Sequence, residues 1–314
     1  MFKYAVKRII YIIPTLALVA LMVFLLIHMI PGDPALVILG SDATPEEVEL
    51  LRNALGLNEP FYKQLLMWIG QIIQGDLGVS IQTDVPVIES IMERFPVTLM
   101  LTSMALVFSI IISLPSGIMA AVRHNTRSDY IFMIGTIIGV SVPGFWLGLV
   151  ALLIFSFKLG WFPSTGYVAI WEDLWPGLRY MLLPSISLGL FMAAVVARMV
   201  RSSMLEVLRL EYVTHARAKG LGEWKVIIKH ALKNAFAPTL TTIGTQYGML
   251  LGGAVVTETV FSLPGLGKYI VVAINMRDYP VVQGSILFIA VVYVLINLIV
   301  DLLYGFFDPR IEYQ

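Results

Sequence analysis

The chain lacks cysteine altogether and is poor in charge. The absence of cysteine excludes disulfides, thiol catalysis and cysteine-ligated metals. Charged residues make up 13% of the 314 residues and hydrophobic residues 58%, whereas a soluble globular domain carries roughly 25% charged residues. The formal net charge is zero, which argues against bulk attraction to nucleic acid. These shortages are typical of an integral membrane protein.

Long apolar runs recur along the chain, and each is near the roughly 20 residues that an α-helix needs to cross a bilayer. The six runs cover residues 9–30, 97–122, 130–157, 181–200, 237–259 and 282–306. A backbone in lipid must satisfy its own hydrogen bonds, so these runs are predicted to be helices. Pro143 and Gly144 interrupt the third run, which leaves a partly re-entrant segment open. The sequence predicts an all-α membrane protein with six transmembrane helices.

Lysine and arginine are unevenly distributed among the connections. Three precede the first run and eight lie in 198–236, whereas 31–96 holds three basic against ten acidic residues. By the positive-inside rule, both termini and the 198–236 loop are predicted to be cytoplasmic.

The predicted organisation has four parts. They are an N-terminal tail and first helix (1–30), an extracytoplasmic helical segment (31–96), a five-helix core (97–306) containing the cytoplasmic loop, and a cytoplasmic tail (307–314). Within the extracytoplasmic segment, Thr44 and Glu47 form a capping-box pattern with proline at the first helical position, which predicts a helix start there.

Two features of the runs themselves indicate structure. Gly244, Gly248 and Gly252 recur every four residues, which predicts close approach by another helix. Asp301 is interpreted as the one acid set into a span, near its cytoplasmic end, where a capping or ion-pair role is favoured over proton relay.

Enzyme signatures are missing from the sequence. No H-E-x-x-H motif is present, and residues 139–143 do not form a G-x-S-x-G nucleophile elbow. Residues 264–268 resemble part of a phosphate-binding loop, but they lack the earlier glycine and the following serine or threonine. The chain is therefore predicted to hydrolyse no nucleotide. No cluster of histidine, aspartate or glutamate with ligand spacing lies in the apolar runs, which predicts no metal site in this chain.

The basic segment 211–235 has the pattern of a helix, a bend and a second helix. Lys225, Lys229 and Lys233 are spaced by four and form one stripe. Before them, the small-residue turn 215–219 ends at Gly220, which permits a sharp change of direction. Two interpretations stand: the segment inserts into a groove on a partner protein, or its lysines bind anionic lipid at the membrane surface.

This segment resembles the EAA loop of permease subunits in ATP-binding-cassette importers, specifically the dipeptide, oligopeptide and nickel group. The resemblance covers nearly the whole chain, and Thr214 and Lys233 stand where the general loop pattern has a glutamate and a proline. The motifs that carry it are residues 28–34 (HMIPGDP), 75–78 (GDLG), 201–207 (RSSMLEV), 216–221 (ARAKGL), 230–235 (HALKNA), 264–267 (PGLG), 277–280 (RDYP) and 308–310 (DPR).

The resemblance implies a type I importer permease that works beside a homologous permease, two cytosolic ATPases and an extracytoplasmic binding protein, within the lipid of the cytoplasmic membrane. ATP and magnesium would bind the ATPases, with no cofactor in this chain. Residues expected to couple to an ATPase are Thr214, His215, Ala216, Arg217, Lys219, Gly220, Leu221, Glu223 and Trp224. Residues expected to contact the binding protein or close an outer gate are Pro264, Gly265, Gly267, Arg277 and Asp278.

The resemblance leaves the transported solute open. Peptides are the preferred reading, and nickel or glutathione is the alternative within the same group. A third reading, from another class, is a secondary transporter that works alone. That class would be expected to show inverted repeats, and no clear repeat is visible.

Overall fold

The computed structural model describes residues 2–29, 34–40, 43–54 and 56–307. Apart from one isolated bridge between Val79 and Pro86, the described residues form helices, turns and loops. The predicted tail 307–314 lies outside the described residues except for Phe307, as do the motif 308–310 and part of 28–34.

The helices are numbered in chain order. They are α1 Phe2–Met29, α2 Pro34–Leu39, α3 Pro45–Ala54, α4 Phe61–Ile73, α5 Val87–Val122, α6 Arg127–Ser141, α7 Gly144–Ala151, α8 Leu174–Leu208, α9 Glu211–Ala218, α10 Glu223–Lys225, α11 Lys233–Val260, α12 Leu266–Asn275 and α13 Tyr279–Phe307. Two π-helical turns, Leu152–Lys158 and Val226–Leu232, follow α7 and α10.

Three described helices are long and apolar enough to cross a membrane: Val87–Val122, Leu174–Leu208 and Tyr279–Leu302. A fourth candidate is the pair Arg127–Ser141 and Gly144–Lys158, which is bent by 97° at its break. The predicted third span is therefore two helices, because the proline at 143 has no N–H for the helical ladder and disfavours the helical conformation in the residue before it. The predicted fifth span lies within α11, whose many threonines and glycines dilute its hydropathy.

The chain forms two compact units. The larger is built mainly from Pro96–Lys268, and the other from Val6–Phe95 with Tyr269–Val294.

Helix α8 is the centre of the larger unit. It packs against α6, α7 and α11, and its buried side chains include Met192, Val196 and Met204. Two glycines, one in each helix, allow the backbones of α5 and α8 to come into direct contact. A Cβ added at Gly189 of α8 would lie 2.6 Å from the carbonyl oxygen of Ala105 in α5. A Cβ added at Gly117 would lie equally close, 2.6 Å, to that of Ala197.

In the smaller unit, the predicted capping box begins α3. The Thr44 hydroxyl and backbone N–H both donate to Glu47 Oε2 at 2.8 Å, and the Glu47 N–H returns a weaker bond to Thr44 Oγ1 at 3.4 Å. In α1 of the same unit, the buried Phe24 ring packs on Phe61 and Trp68 of α4. Local sequence signals and a small aromatic cluster thus define the helices α3 and α4.

The predicted stripe of three glycines on α11 is only partly covered within the described chain. Gly244 and Gly248 are buried, and a Cβ at Gly244 would overlap Val300 of α13. Gly252 is exposed, and a Cβ there would meet no atom within 4 Å. Helix contact within the described chain therefore falls on the first part of the stripe, because α11 is in close contact with α13 at Gly244 and open at Gly252.

Candidate functional site

The basic segment 211–235, which we call the bend segment, folds as two short helices joined by a sharp bend. Helix α9 ends with the Lys219 and Gly220 N–H groups bonded to carbonyls of the preceding turn. Gly220 then adopts a left-handed φ of +78°, which a side chain would disfavour. Helix α10 begins at Glu223 and continues through the π-helical turn into α11. The bend therefore lies at the predicted glycine.

One face of this bend segment packs into the core of the larger unit. Val213, Val226 and Ala231 are fully buried and belong to the same apolar cluster as the last turns of α8. Ala216 is also buried, and Leu221 packs against the cluster. Both were predicted to contact an ATPase. The structure corrects this for Ala216, which anchors the segment from within, whereas Leu221 is only half-buried.

The opposite face of the segment is exposed and carries the remaining predicted coupling residues. Trp224 is 71% exposed, and tryptophan is enriched at protein interfaces because its ring is apolar and carries an N–H donor. The exposed members of the predicted set are Thr214, His215, Arg217, Lys219, Gly220, Glu223 and Trp224. The structure thus presents an indole, several cations and a bend on one surface element.

Arg217 and Glu223 form a two-pronged ion pair across the bend. Arg217 Nη2 donates to Glu223 Oε1 at 2.7 Å, and Nε donates to Oε2 at 3.1 Å. The hydrogen bond from Arg217 lowers the pKa of Glu223, and the same bond raises the pKa of Arg217. The resemblance implied that Arg217 is a polar contact at the rim of the ATPase groove. Within the chain, its guanidinium also braces α9 against the start of α10.

A second ion pair lies at the end of α8 that leads into the bend segment. Arg201 donates to both carboxylate oxygens of Asp129, at 2.6 and 2.8 Å. The Asn125 N–H donates to the same carboxylate at 3.0 Å, and His124 Nδ1 lies 3.1 Å from it. Asp129 is almost fully buried, so this pair ties the start of α6 to α8.

Glu258, near the end of α11, is completely buried. Its Oε1 accepts a 2.6 Å bond from the Thr98 hydroxyl of α5, and its Oε2 accepts a 2.9 Å bond from the Lys268 N–H. The prediction that Asp301 is the one acid within a span was therefore wrong. Glu258 itself is visible in the predicted run 237–259, whereas its partner Thr98, 160 residues away, could not be predicted.

The turn after α11 wraps around this carboxyl group. Gly265 and Gly267 are buried, and a Cβ on Gly265 would overlap the Glu258 carboxyl group. These two glycines were predicted as possible outer contacts, and the structure corrects this to internal packing. Pro264 remains exposed, as does Ser262 at the strained left-handed φ of +54°.

Asp278 is likewise buried, within the smaller unit. It accepts a 2.5 Å bond from the Ser80 hydroxyl and a 3.3 Å bond from the Ile81 N–H. Its predicted surface contact is therefore corrected to an internal clasp on the 79–86 loop. The neighbouring Arg277 is exposed, with a left-handed φ of +55°.

Comparison with known families decides the class of this chain. Residues 113–313 match the family described as "Binding-protein-dependent transport system inner membrane component". Residues 1–102 match its N-terminal counterpart, "Binding-prot-dependent transport system membrane comp, N-term". This chain belongs to that family. It is the inner membrane permease component of an ATP-binding-cassette importer, as the sequence motifs indicated.

Relatives of this permease match it along its full length. The dipeptide transport system permease protein of Alkalihalophilus pseudofirmus is 45% identical over 333 aligned residues, covering 100% of both chains. The glutathione transport system permease protein of Escherichia coli is 44% identical in strain CFT073 and 43% identical in strain K12, again over 100% of both chains.

Similarity to solved structures is more remote. A crystal structure of an amino acid ABC transporter with histidines has a TM-score of 0.49 and 15% identity, over 71% of this chain and 94% of that one.

Within the described part of the permease, no group of three or more histidine, aspartate or glutamate side chains is arranged to hold a metal ion.

Proposed function

We propose that this permease is one of two homologous membrane subunits of an importer for dipeptides and oligopeptides. The observation that carries the proposal is the bend segment, which is anchored by buried residues and presents Trp224, Lys219 and the Arg217–Glu223 pair outward. The full-length relative named for dipeptide transport supports the substrate class. Two cytosolic ATPases and an extracytoplasmic binding protein complete the importer.

The proposed topology has six spans with both termini in the cytoplasm. The basic residues of 198–236 support a cytoplasmic bend segment, since basic loops remain on that side. Helices α5, α8 and α13 supply three spans, and the bent pair α6–α7 supplies another. Helices α1 and α11 supply the remaining two, each 28 residues long.

The bend segment transmits the ATPase cycle. ATP-bound and ATP-free ATPase dimers present different surfaces, and only such differential contact shifts a conformational equilibrium. The segment is packed into the α8 core on one side and continues into α11 on the other. Movement at its exposed face therefore shifts the ends of two long helices. No nucleotide chemistry takes place in this chain, because ATP and magnesium bind the partner ATPases.

A pair of glycine variants tests this coupling role. Gly220→Val forces a β-branched residue into a left-handed conformation, which costs about 1–2 kcal/mol. Gly222→Val is the matched control, because Gly222 has an ordinary φ of −59° and open space around it. In the reconstituted importer, we expect Gly220→Val to raise the ATP hydrolysed per peptide imported, while Gly222→Val stays near wild type. Wild-type coupling in Gly220→Val would reject this role for the bend.

Glutathione is the second candidate substrate, because two of the full-length relatives are named for glutathione transport. Glutathione is itself a tripeptide, so competition decides between the readings. Membranes carrying the whole importer should take up a labelled dipeptide that unlabelled dipeptides displace better than glutathione. The opposite order would assign the importer to glutathione, and uptake of nickel alone would reject both.

Copurification separates the importer from a transporter that acts alone. Gentle solubilisation from the native membrane should recover two ATPases and a second permease with this chain. A chain that purifies alone, and transports peptides when reconstituted alone, would overturn the proposed assembly.

A further inference from the structure

A network of hydrogen bonds around Glu258, which we call the knot, joins α5, α11 and the start of α12. Thr98 donates to Glu258 from α5 and, with the same oxygen, accepts a 2.9 Å bond from the Leu266 N–H at the start of α12. Glu258 accepts the Lys268 N–H from the same first turn of α12. The side chains of Thr98 and Glu258 thus satisfy two of the backbone donors that a helix start leaves unpaired.

This knot also fixes the turn between α11 and α12. The Leu263 N–H bonds to the Glu258 carbonyl at 2.9 Å, and Gly265 is in contact with the carboxyl group itself. A Cβ on Gly267 would lie 2.6 Å from Val255 Cα. The turn therefore has no room to shift against α11 without leaving buried polar groups unpaired, which is unfavourable.

The knot and the bend segment lie at opposite ends of the same helix. Helix α11 runs from Lys233, directly after the π-helical turn, to Val260. Its 28 residues span about 42 Å at 1.5 Å per residue. The knot holds the turn and α11 together as one rigid body. A displacement of the turn at one end of α11 is therefore carried to the bend segment at the other end.

We infer that Thr98 and Glu258 are positioning residues that couple the 261–267 turn to α11 and α5. When the binding protein docks on the extracytoplasmic side, the knot passes the displacement into α11 and so to the ATPases. This inference rests on the proposed importer function and adds a residue pair that neither binds solute nor touches the ATPase. Glu258 positions the turn, and Thr98 connects it to α5.

Substitutions at Thr98 test the inference with closely matched controls. Thr98→Val removes the hydroxyl and leaves the Leu266 N–H and one Glu258 oxygen without their partner. Thr98→Ser keeps the hydroxyl. Thr102→Val removes a hydroxyl that is equally buried but bonds only to carbonyls of its own helix. All three are made in the complete importer, in which assembly and basal ATPase activity are measured first.

The decisive readout is the ATPase activity that the loaded binding protein stimulates. Allosteric coupling in proteins amounts to about 5- to 150-fold, so Thr98→Val should lose at least about fivefold in stimulation. Its basal rate should stay near wild type, and Thr98→Ser and Thr102→Val should keep full stimulation. Wild-type stimulation in Thr98→Val would overturn the inference, as would equal losses in all three variants.

Two further measurements keep the outcome unambiguous. If Thr98→Val fails to assemble, Gly265→Ala displaces the Glu258 carboxyl group from the other side and should cause the same selective loss. Glu258→Gln should cause a partial selective loss, because one amide oxygen replaces two carboxylate acceptors and leaves either the Thr98 O–H or the Lys268 N–H without its partner. A selective loss in Glu258→Gln without one in Gly265→Ala would reject the knot. If the loaded binding protein fails to stimulate the wild-type importer, the proposed function itself fails.

Discussion

Gly244 and Gly252 lie two turns apart on α11, and only one of them has room for a methyl group. A Cβ at Gly244 would overlap Val300 Cγ1 and lie 2.6 Å from Cγ2 and 2.8 Å from Cβ. Because the Val300 Cβ itself is too close, a change of rotamer cannot relieve the clash, and α11 and α13 must separate. A Cβ at Gly252 meets nothing within 4 Å.

The two alanine variants therefore isolate the steric term. Each gains the same helix propensity, which is at most about 1 kcal/mol in water. Gly244→Ala alone incurs the cost of overpacking, typically about 1–3 kcal/mol. The difference in unfolding free energy between the variants should thus be about 1–3 kcal/mol, with Gly252→Ala the more stable whatever the propensity gain in lipid.

Unfolding of the purified full chain, followed by tryptophan fluorescence during a denaturing-detergent titration, measures this difference. Adding Val300→Ala to Gly244→Ala should recover part of the loss, because it removes both γ-methyl groups and leaves the Cβ contact. Equal stability of Gly244→Ala and Gly252→Ala would refute the close contact between α11 and α13.

Two other contacts make separate predictions. The lowered pKa of Glu223 means that its pair with Arg217 stabilises the bend fully above the ordinary glutamate value of 4.5 and loses this contribution as the pH falls through the lowered pKa. The distribution of distances between spin labels placed on either side of the bend should broaden over that acidic range. The Glu223→Gln variant should show no such pH dependence. In the smaller unit, Ser80→Ala removes the 2.5 Å bond to Asp278, at a cost of about 1.5–3 kcal/mol for a bond to a charged group. Protease cleavage within 79–86 should accelerate, and an unchanged rate would contradict the clasp.

Features encoded over a few residues were predictable from the sequence. The Thr44–Glu47 capping box forms as expected, because its partners are three residues apart. The break at Pro143 and the left-handed bend at Gly220 follow from the conformational limits of proline and glycine. The length of the apolar runs indicated the membrane protein class, because that length is set by the thickness of the bilayer and not by the fold.

Features that join distant residues were not predictable. Asp129 meets Arg201 across 72 positions and Glu258 meets Thr98 across 160, and neither pair has a periodicity that would reveal it. The roles of Ala216, Gly265 and Asp278 were assigned to the surface for the same reason. Each residue type suits an exposed turn, and only packing shows that it is buried.

The sequence by itself determined the membrane class, the family and the position of the bend segment, since these depend on composition, motif order and local backbone preference. The tertiary structure alone decided which residues of that segment face outward, which glycine of α11 is in close contact with another helix, and where the buried acids find their partners. The physical reason is the range of the interactions: propensities act within a turn, whereas a buried carboxyl group requires donors that only the folded chain brings within about 3 Å.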